Sequence, residues 1–154
     1  MTLPRLLATA ALLLPLLGTA QTTTSNAATT TPTDVGATVT TSSGLVFKLM
    51  KAGTGPSPSA SDTVKVHYRG TLADGPNKGK EFDSSYSRGQ PLEFPLNGVI
   101  KCWTEGVQKL KVGGAARLTC PPAIAYGERG AGGGVIPPNA TLTFDVELLG
   151  IAGR

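Results

Sequence analysis

The chain reads as an α+β domain in which an antiparallel sheet is crossed by one short helix. Two stretches, "TVKVHYRGTL" from Thr63 and "TLTFDVELLGI" from Thr141, alternate apolar and polar residues with the period of two that marks a half-buried strand. A third stretch changes period. Ile100, Trp103, Val107 and Leu110 recur at offsets of zero, three, seven and ten, which places them on one face of a short helix. Strands with long loops between them and one amphipathic helix make an α+β sheet with a helix packed across one face.

Taken in order, residues 1–20 carry Arg5, then the apolar run "LLATAALLLPLL" and the small residues Gly18-Thr19-Ala20. That is the pattern of a signal peptide cut after Ala20. A transmembrane anchor is the competing reading, but the run has 12 residues and contains Pro15, whereas a span needs about 20. Residues 21–42 hold ten threonines and little to bury. Such a segment gains too little on ordering to offset its entropy, so a flexible tether is expected. The folded domain is expected over 43–154. "LVFKLM" at 45–50 reads as its first strand, and "GTGPSPSASD" at 53–62 is dense in turn residues. In "TVKVHYRGTL", Val64, Val66 and Tyr68 alternate with Lys65, His67 and Arg69. "DGPNKGKEFD" then reads as a loop. The helix is expected to run to the Gly113-Gly114 pair. "AARLTC" at 115–120 is a strand halted by Pro121-Pro122, and "GERGAGGGVIPPN" is a glycine-rich loop. The last strand sets Leu142, Phe144, Val146 and Leu148 on one face.

Several classes of function find no support. The chain has 14 Lys and Arg against 10 Asp and Glu, a net charge of +4. The basic residues alternate with acids and apolar residues and form no cluster that could track phosphates, so no nucleic-acid partner is expected. His67 is the single histidine, and no GxSxG surrounds any serine, so a Ser or Cys nucleophile would lack a positioned base. "GPNKGKE" lacks the P-loop spacing, and Asn139-Ala140-Thr141 is a weak glycosylation pattern that a turn after Pro137-Pro138 explains equally well. Cys102 and Cys120 match no zinc spacing. An even cysteine count in an exported chain permits one disulfide between them, while spacing alone allows two buried thiols that never meet. Glu81 and Asp83 would share a face of a strand and could form a carboxylate pair for acid–base work, but Asp83 lies between Phe82 and two serines, where a solvated or serine-capped acid is the ordinary explanation. "EFDSSYSRGQPLEFPLNGVIKCWTEGV" at 81–107 holds four of the eight aromatic side chains, around Asp83 and the single tryptophan.

At "VHYRGTLADG", "KGKEFDSS", "PLEFPLNGVIKCWTEGVQKLKVGG", "AYGERG" and "VIPPNATLTFDVELL" the chain resembles an FKBP-type peptidyl-prolyl cis-trans isomerase. The likeness runs in order from about Gly44 to Ile151. It implies a strongly twisted antiparallel sheet of about five strands wrapped on one short α-helix, with a shallow apolar pocket between them. The resemblance implies catalytic roles for Asp83, Tyr126, Phe82, Trp103 and Phe144. Trp103 would lie under a prolyl ring, and Asp83 would face the twisting amide. Tyr68, Leu92, Phe94, Val99, Ile100, Val135 and Ile136 would complete the pocket, with the Ile100 N–H and the Tyr126 hydroxyl donating to ligand carbonyls. Leu92 stands where many members have an aromatic, Gly98 where many have Glu, and Cys102 where glycine is common. No cofactor or metal is implied. Proline-containing unfolded or partly folded proteins would be the substrates, with macrolides such as tacrolimus or rapamycin as further ligands. An exported monomer without a stable membrane anchor, periplasmic or secreted, is expected. A non-catalytic chaperone or proline-segment binding module using the same pocket is the alternative, and an exported carrier of apolar ligands is a third reading.

Overall fold

The computed structural model describes residues 33–153. Seven strands form one antiparallel sheet: β1 Thr38–Thr40, β2 Val46–Lys51, β3 Thr63–Leu72, β4 Glu81–Ser84, β5 Leu92–Pro95, β6 Ala115–Cys120 and β7 Leu142–Ile151. Two helices interrupt them, α1 Ser85–Arg88 and α2 Lys101–Val107. The sheet order is β1-β2-β6-β7-β3-β4, with β5 also paired to β3. The α+β class is thus observed, with α2 as its main helix.

The alternation read from the sequence is the alternation of burial. On β3, Val64, Val66 and Tyr68 are buried, and on β7 so are Leu142, Phe144, Val146 and Leu148. These side chains, with Phe47 and Leu118, form one core against Cys102, Trp103 and Val107 of α2. Gly106 lets the helix lie close to the sheet, since a Cβ there would stand 2.8 Å from Leu118 Cδ2. The opposite face of the sheet is polar and cross-linked by surface pairs, among them Arg117–Asp145 at 2.7 Å and Arg69–Glu81 at 2.7 Å. Each such pair stabilises by about 0–1 kcal/mol.

Three expectations need correction, and one strand comes in addition. The threonine-rich tether was expected to extend to residue 42, yet Thr38–Thr40 pair with Val46–Lys48 as an edge strand. A strand of this kind needs backbone hydrogen bonds rather than buried side chains, and its residues stay largely exposed. The segment "EFD", read as loop, enters the sheet with Ser84 as β4, which pairs with Arg69, Gly70 and Thr71. Helix α2 ends at Val107, before Gly113-Gly114. There Lys109 and Leu110 donate to the carbonyls of Gly106 and Val107, three residues back, which tightens the chain into a turn that still buries Leu110. The strand "LEFP", β5, was not anticipated. The signal-peptide segment 1–20 and residues 21–32 of the tether lie outside the described residues.

β3 uses one edge for two partners. Thr63 to Val66 pair with β5, while Arg69 to Thr71 pair with β4. Between the two short strands the chain leaves the sheet through α1, whose Ser85 Oγ bonds the Tyr68 N–H and C=O at this edge.

Candidate active site

A cavity of about 500 Å³ lies between the sheet and the start of α2, lined by Tyr68, Phe82, Asp83, Phe94, Gly98, Val99, Ile100, Trp103, Tyr126 and Phe144. Six of the eight aromatic side chains of the protein are in that lining. Trp103 is the hub. Tyr68, Phe94 and Phe144 each stand nearly perpendicular to its indole, with ring centroids 5.1, 5.6 and 5.5 Å away. Edge-to-face rings set the positive rim of one against the negative face of the next, about 0.5–1.5 kcal/mol per pair beyond area burial. The indole Nε1 is buried and has no hydrogen-bond acceptor among the described residues.

The side wall depends on a bulge and a glycine. Gly70 pairs with Asp83 and Thr71 with Glu81, so Phe82 is the extra residue in the register step, and such a bulge re-aims its side chain. Its ring lies over Gly70, where a Cβ would be 2.5 Å from Phe82 Cζ and 3.0 Å from Phe144 Cε1. Phe82 and Phe144 meet edge to face at 5.6 Å.

Asp83 is the charged residue in the lining. Its Oδ2 accepts from the Tyr68 hydroxyl and its Oδ1 from Arg88 Nη1 at 2.7 Å, while Arg88 Nη2 donates to the Tyr68 oxygen at 2.9 Å. The three groups form a closed ring. Arg88 reaches it because α1 is a single turn capped at both ends: Ser84 Oγ accepts from the Tyr86 and Ser87 N–H groups, and Gly89 ends the turn at φ 72°. Burial opposes ionisation of Asp83, but the hydrogen bonds from Tyr68 and Arg88 outweigh it and hold the carboxyl below its ordinary range. Burial, then the bond to Asp83, pushes the Tyr68 hydroxyl up. Asp83 is therefore a fixed anion at neutral pH.

Two donors at the rim have no partner among the described residues. The Ile100 carbonyl starts α2, accepting from Trp103 and Thr104 N–H at 3.0 and 3.1 Å. The Ile100 N–H makes no hydrogen bond among the described residues. Tyr126, 39% exposed, is set by the 3-10 turn Pro122–Ile124 before it and by Gly127 after it at φ 58°. Its hydroxyl is likewise without a partner among the described residues, and burial, then the charge of Asp83, raises its pKa.

Of the residues expected here, Asp83, Tyr126, Phe82, Trp103, Phe144, Tyr68, Phe94, Val99 and Ile100 come together. Leu92, Val135 and Ile136 do not line the cavity. Leu92 sits opposite Val66 and packs on the core behind the wall. Ile136 is buried in the core and its backbone bridges Ala131, while Val135 is 48% exposed on the loop. Arg88 was missed; the signal for it is a basic residue at the end of the one-turn segment that follows the acid. Glu81 serves elsewhere, bonded to Arg69 and Ser87. Cys102 and Cys120 are joined in a disulfide. His67 does meet a serine, with Nδ1 2.9 Å from Ser85 Oγ, but that hydroxyl is fully buried and already bonds the Tyr68 N–H and C=O. The contact is structural.

Residues 55–149 match the model of a family described as FKBP-type peptidyl-prolyl cis-trans isomerase. The chain is 55% identical over 112 residues to FkpA of Escherichia coli strain K12, an alignment covering 73% of this chain and 39% of that protein. It is also similar to the crystal structure of Escherichia coli FkpA, with TM-score 0.69, 53% identity, and coverage of 77% of this chain and 52% of that one. For the peptidyl-prolyl cis-trans isomerase of Pseudomonas syringae pv. tomato the TM-score is 0.66 at 37% identity, covering 77% and 82%. The chain thus spans less than half the length of the FkpA sequence it matches. With the cavity, the bulged wall and the fixed acid all carried on the matched residues, the chain belongs to the family of FKBP-type peptidyl-prolyl cis-trans isomerases.

Proposed function

We propose that this protein accelerates cis-trans isomerisation of X-Pro bonds in exported polypeptides. The observation that carries the reading is a cavity walled by aromatic rings and holding one fixed carboxylate at its side, with two unengaged donors at the rim. Rotation about a peptide bond faces roughly 18–20 kcal/mol because twisting removes amide resonance. At X-Pro both isomers are accessible, but they exchange over tens to hundreds of seconds. Rotation breaks no covalent bond and moves no proton, so binding differences alone can catalyse the step.

Trp103 and the rings around it take the pyrrolidine and exclude water from its neighbourhood. The planar amide is strongly polar and loses more on leaving water than the twisted amide, whose carbonyl is less charge-separated. Each ~1.4 kcal/mol of such differential stabilisation gives about tenfold in rate. The Ile100 N–H and Tyr126 hydroxyl hold carbonyls of the substrate backbone, and the Asp83 carboxylate faces the amide as it turns. Macrolides such as tacrolimus or rapamycin would compete for the same cavity. The protein would act as an exported monomer, periplasmic or secreted, on unfolded or partly folded chains.

The deciding measurement is a protease-coupled or fluorogenic assay on X-Pro peptides. A rate above the uncatalysed one, suppressed by a macrolide, is expected. A rate equal to the uncatalysed one, with proline peptides still bound, would replace the enzyme by a non-catalytic binding module.

A further inference from the structure

The turn Leu96–Gly98 sets an asparagine followed by a glycine at the edge of the cavity. Of Asn26, Asn77, Asn97 and Asn139, only Asn97 precedes glycine. Asn97 and Gly98 are both exposed, and the Asn97 side-chain amide has no hydrogen-bond partner among the described residues. The turn is a single 3-10 turn without a side-chain cap, and it gives way at once to extended backbone at Val99, φ −116°; the hydrogen bonds of such turns have poor geometry. Gly98 also has no Cβ to screen its own nitrogen from the Asn97 carboxamide. The ends of the segment, in contrast, are fixed. Leu96 is fully buried, its N–H donates to Asp62 O at 3.0 Å, and its carbonyl accepts from Thr104 Oγ1. The Ile100 carbonyl accepts from the Trp103 and Thr104 N–H groups. Thr104 of α2 therefore holds both Leu96 and Ile100, and the path between them has a fixed span.

We propose that Asn97 is a site of spontaneous deamidation whose isoaspartyl product weakens the cavity by displacing Val99 and the Ile100 N–H. The inference rests on the isomerase reading above. The Gly98 nitrogen attacks Asn97 Cγ, and the new N–Cγ bond closes a succinimide; the Gly98 amide proton goes with the side-chain NH2, which leaves as ammonia. Water then opens the ring. Hydrolysis at Cγ gives an aspartyl residue with the original chain path, while hydrolysis at the backbone carbonyl gives an isoaspartyl residue whose chain runs through Cβ and Cγ. Either way a water is consumed and an ammonia released. Both products carry a carboxylate, but Asn97 is exposed and outside the lining, where solvent and salt screen a charge. The isoaspartyl product differs in adding a methylene to the main chain. Between ends held by Thr104 that extra length has to bulge at Gly98 and Val99, which carries the Ile100 N–H away from the place where a substrate carbonyl would meet it.

The test ages the full wild-type chain in mildly alkaline buffer, where the Gly98 nitrogen is the better nucleophile. The peptide containing Asn97 is followed by mass spectrometry, with isoaspartate scored by enzymatic methylation. It is expected to convert mainly to isoaspartate. The separated isoaspartyl form should lose at least about threefold in kcat/KM on X-Pro peptides, with a matching rise in the peptide dissociation constant read from the fluorescence of Trp103. Asn97→Gln aged in parallel retains Asp74-Gly75 as another source of isoaspartate and should keep its initial values, and fresh Asn97→Asp should stay close to wild type. Persistence of Asn97 in the folded chain, over a period in which the same sequence converts as a free peptide, overturns the site. An isoaspartyl form that is as active and binds as tightly as the fresh protein overturns the consequence. A loss in Asn97→Asp as large as in the isoaspartyl form assigns the effect to charge and overturns the displacement of the backbone. Absence of catalysis in the wild type sinks the isomerase reading, and the dissociation constants then still decide on Asn97.

Discussion

At the scale of single residues, the Tyr68–Asp83–Arg88 ring decides how the one acid of the cavity behaves. Its carboxyl is held below the ordinary carboxylate value of about 3.9 in the folded state. Its contribution to stability is therefore complete above that value and is lost as pH falls through the lower folded pKa. The gap in denaturation midpoint between wild type and Asp83→Asn should be constant above about pH 5 and close in stronger acid. Arg88→Ala removes a donor, so the acid limb of kcat/KM should move to higher pH; a limb that stays in place would make Arg88 irrelevant to Asp83. Asp83→Leu should lower kcat/KM by at least about tenfold, ~1.4 kcal/mol of lost differential binding, with an unchanged circular dichroism spectrum. At Gly70 the issue is space. Gly70→Ala places a methyl within the rings of Phe82 and Phe144, an overpacking that should cost about 1–3 kcal/mol in urea denaturation and weaken peptide binding.

Among elements, the contact of α2 with β6 matters most, because Cys102 precedes the floor residue Trp103 and Cys120 precedes the turn that carries Tyr126. Their disulfide joins residues 18 apart with Cα atoms 5.8 Å from each other, and both side chains are fully buried. Closing a loop of this length removes unfolded-state entropy equivalent to about 3 kcal/mol. The double substitution Cys102→Ala with Cys120→Ala should lower the unfolding free energy by about that amount, and a thiol count on denatured, unreduced protein should find none among these two residues. Two free thiols would remove the staple. The pair was open in the sequence because spacing carries no geometry; only the packing of helix on strand brings the sulfurs together. The short elements were hidden for a related reason. β4 and β5 have four residues each, too few for a period to appear, and in β4 the bulge at Phe82 breaks the alternation. α1 is one turn whose caps are visible only once Ser84 bonds the N–H groups ahead of it.

Over the whole molecule, one core of mostly aliphatic side chains supports an aromatic cavity between the sheet and the start of α2. The single tryptophan sits in that cavity, so its fluorescence should report both global unfolding and ligand binding. β1 and the residues just before it add to this body mostly through their backbone, as in the bonds from Gly36 N–H to Leu49 O at 2.7 Å and from Leu49 N–H to Ala37 O at 3.1 Å. Deleting residues 33–42 should cost about 1 kcal/mol, roughly 4 °C in Tm, and leave kcat/KM unchanged. A collapse of activity would show that this edge strand supports the cavity.

Patterning along the chain is enough to establish β3, β6, β7 and the apolar face of α2, because a buried surface of period two or 3.6 leaves its trace in composition. Resemblance over several ordered motifs adds nine of the cavity residues. What needed the folded chain is whatever depends on distance between segments remote in sequence. The closing of the Asp83 ring by Arg88, the bonding of Cys102 to Cys120, the pairing of a threonine edge strand and the withdrawal of Leu92, Val135 and Ile136 from the lining all belong there. In each case the residue types permit more than one arrangement, and a distance of a few ångströms, set by how the helix and loops pack on the sheet, selects between them.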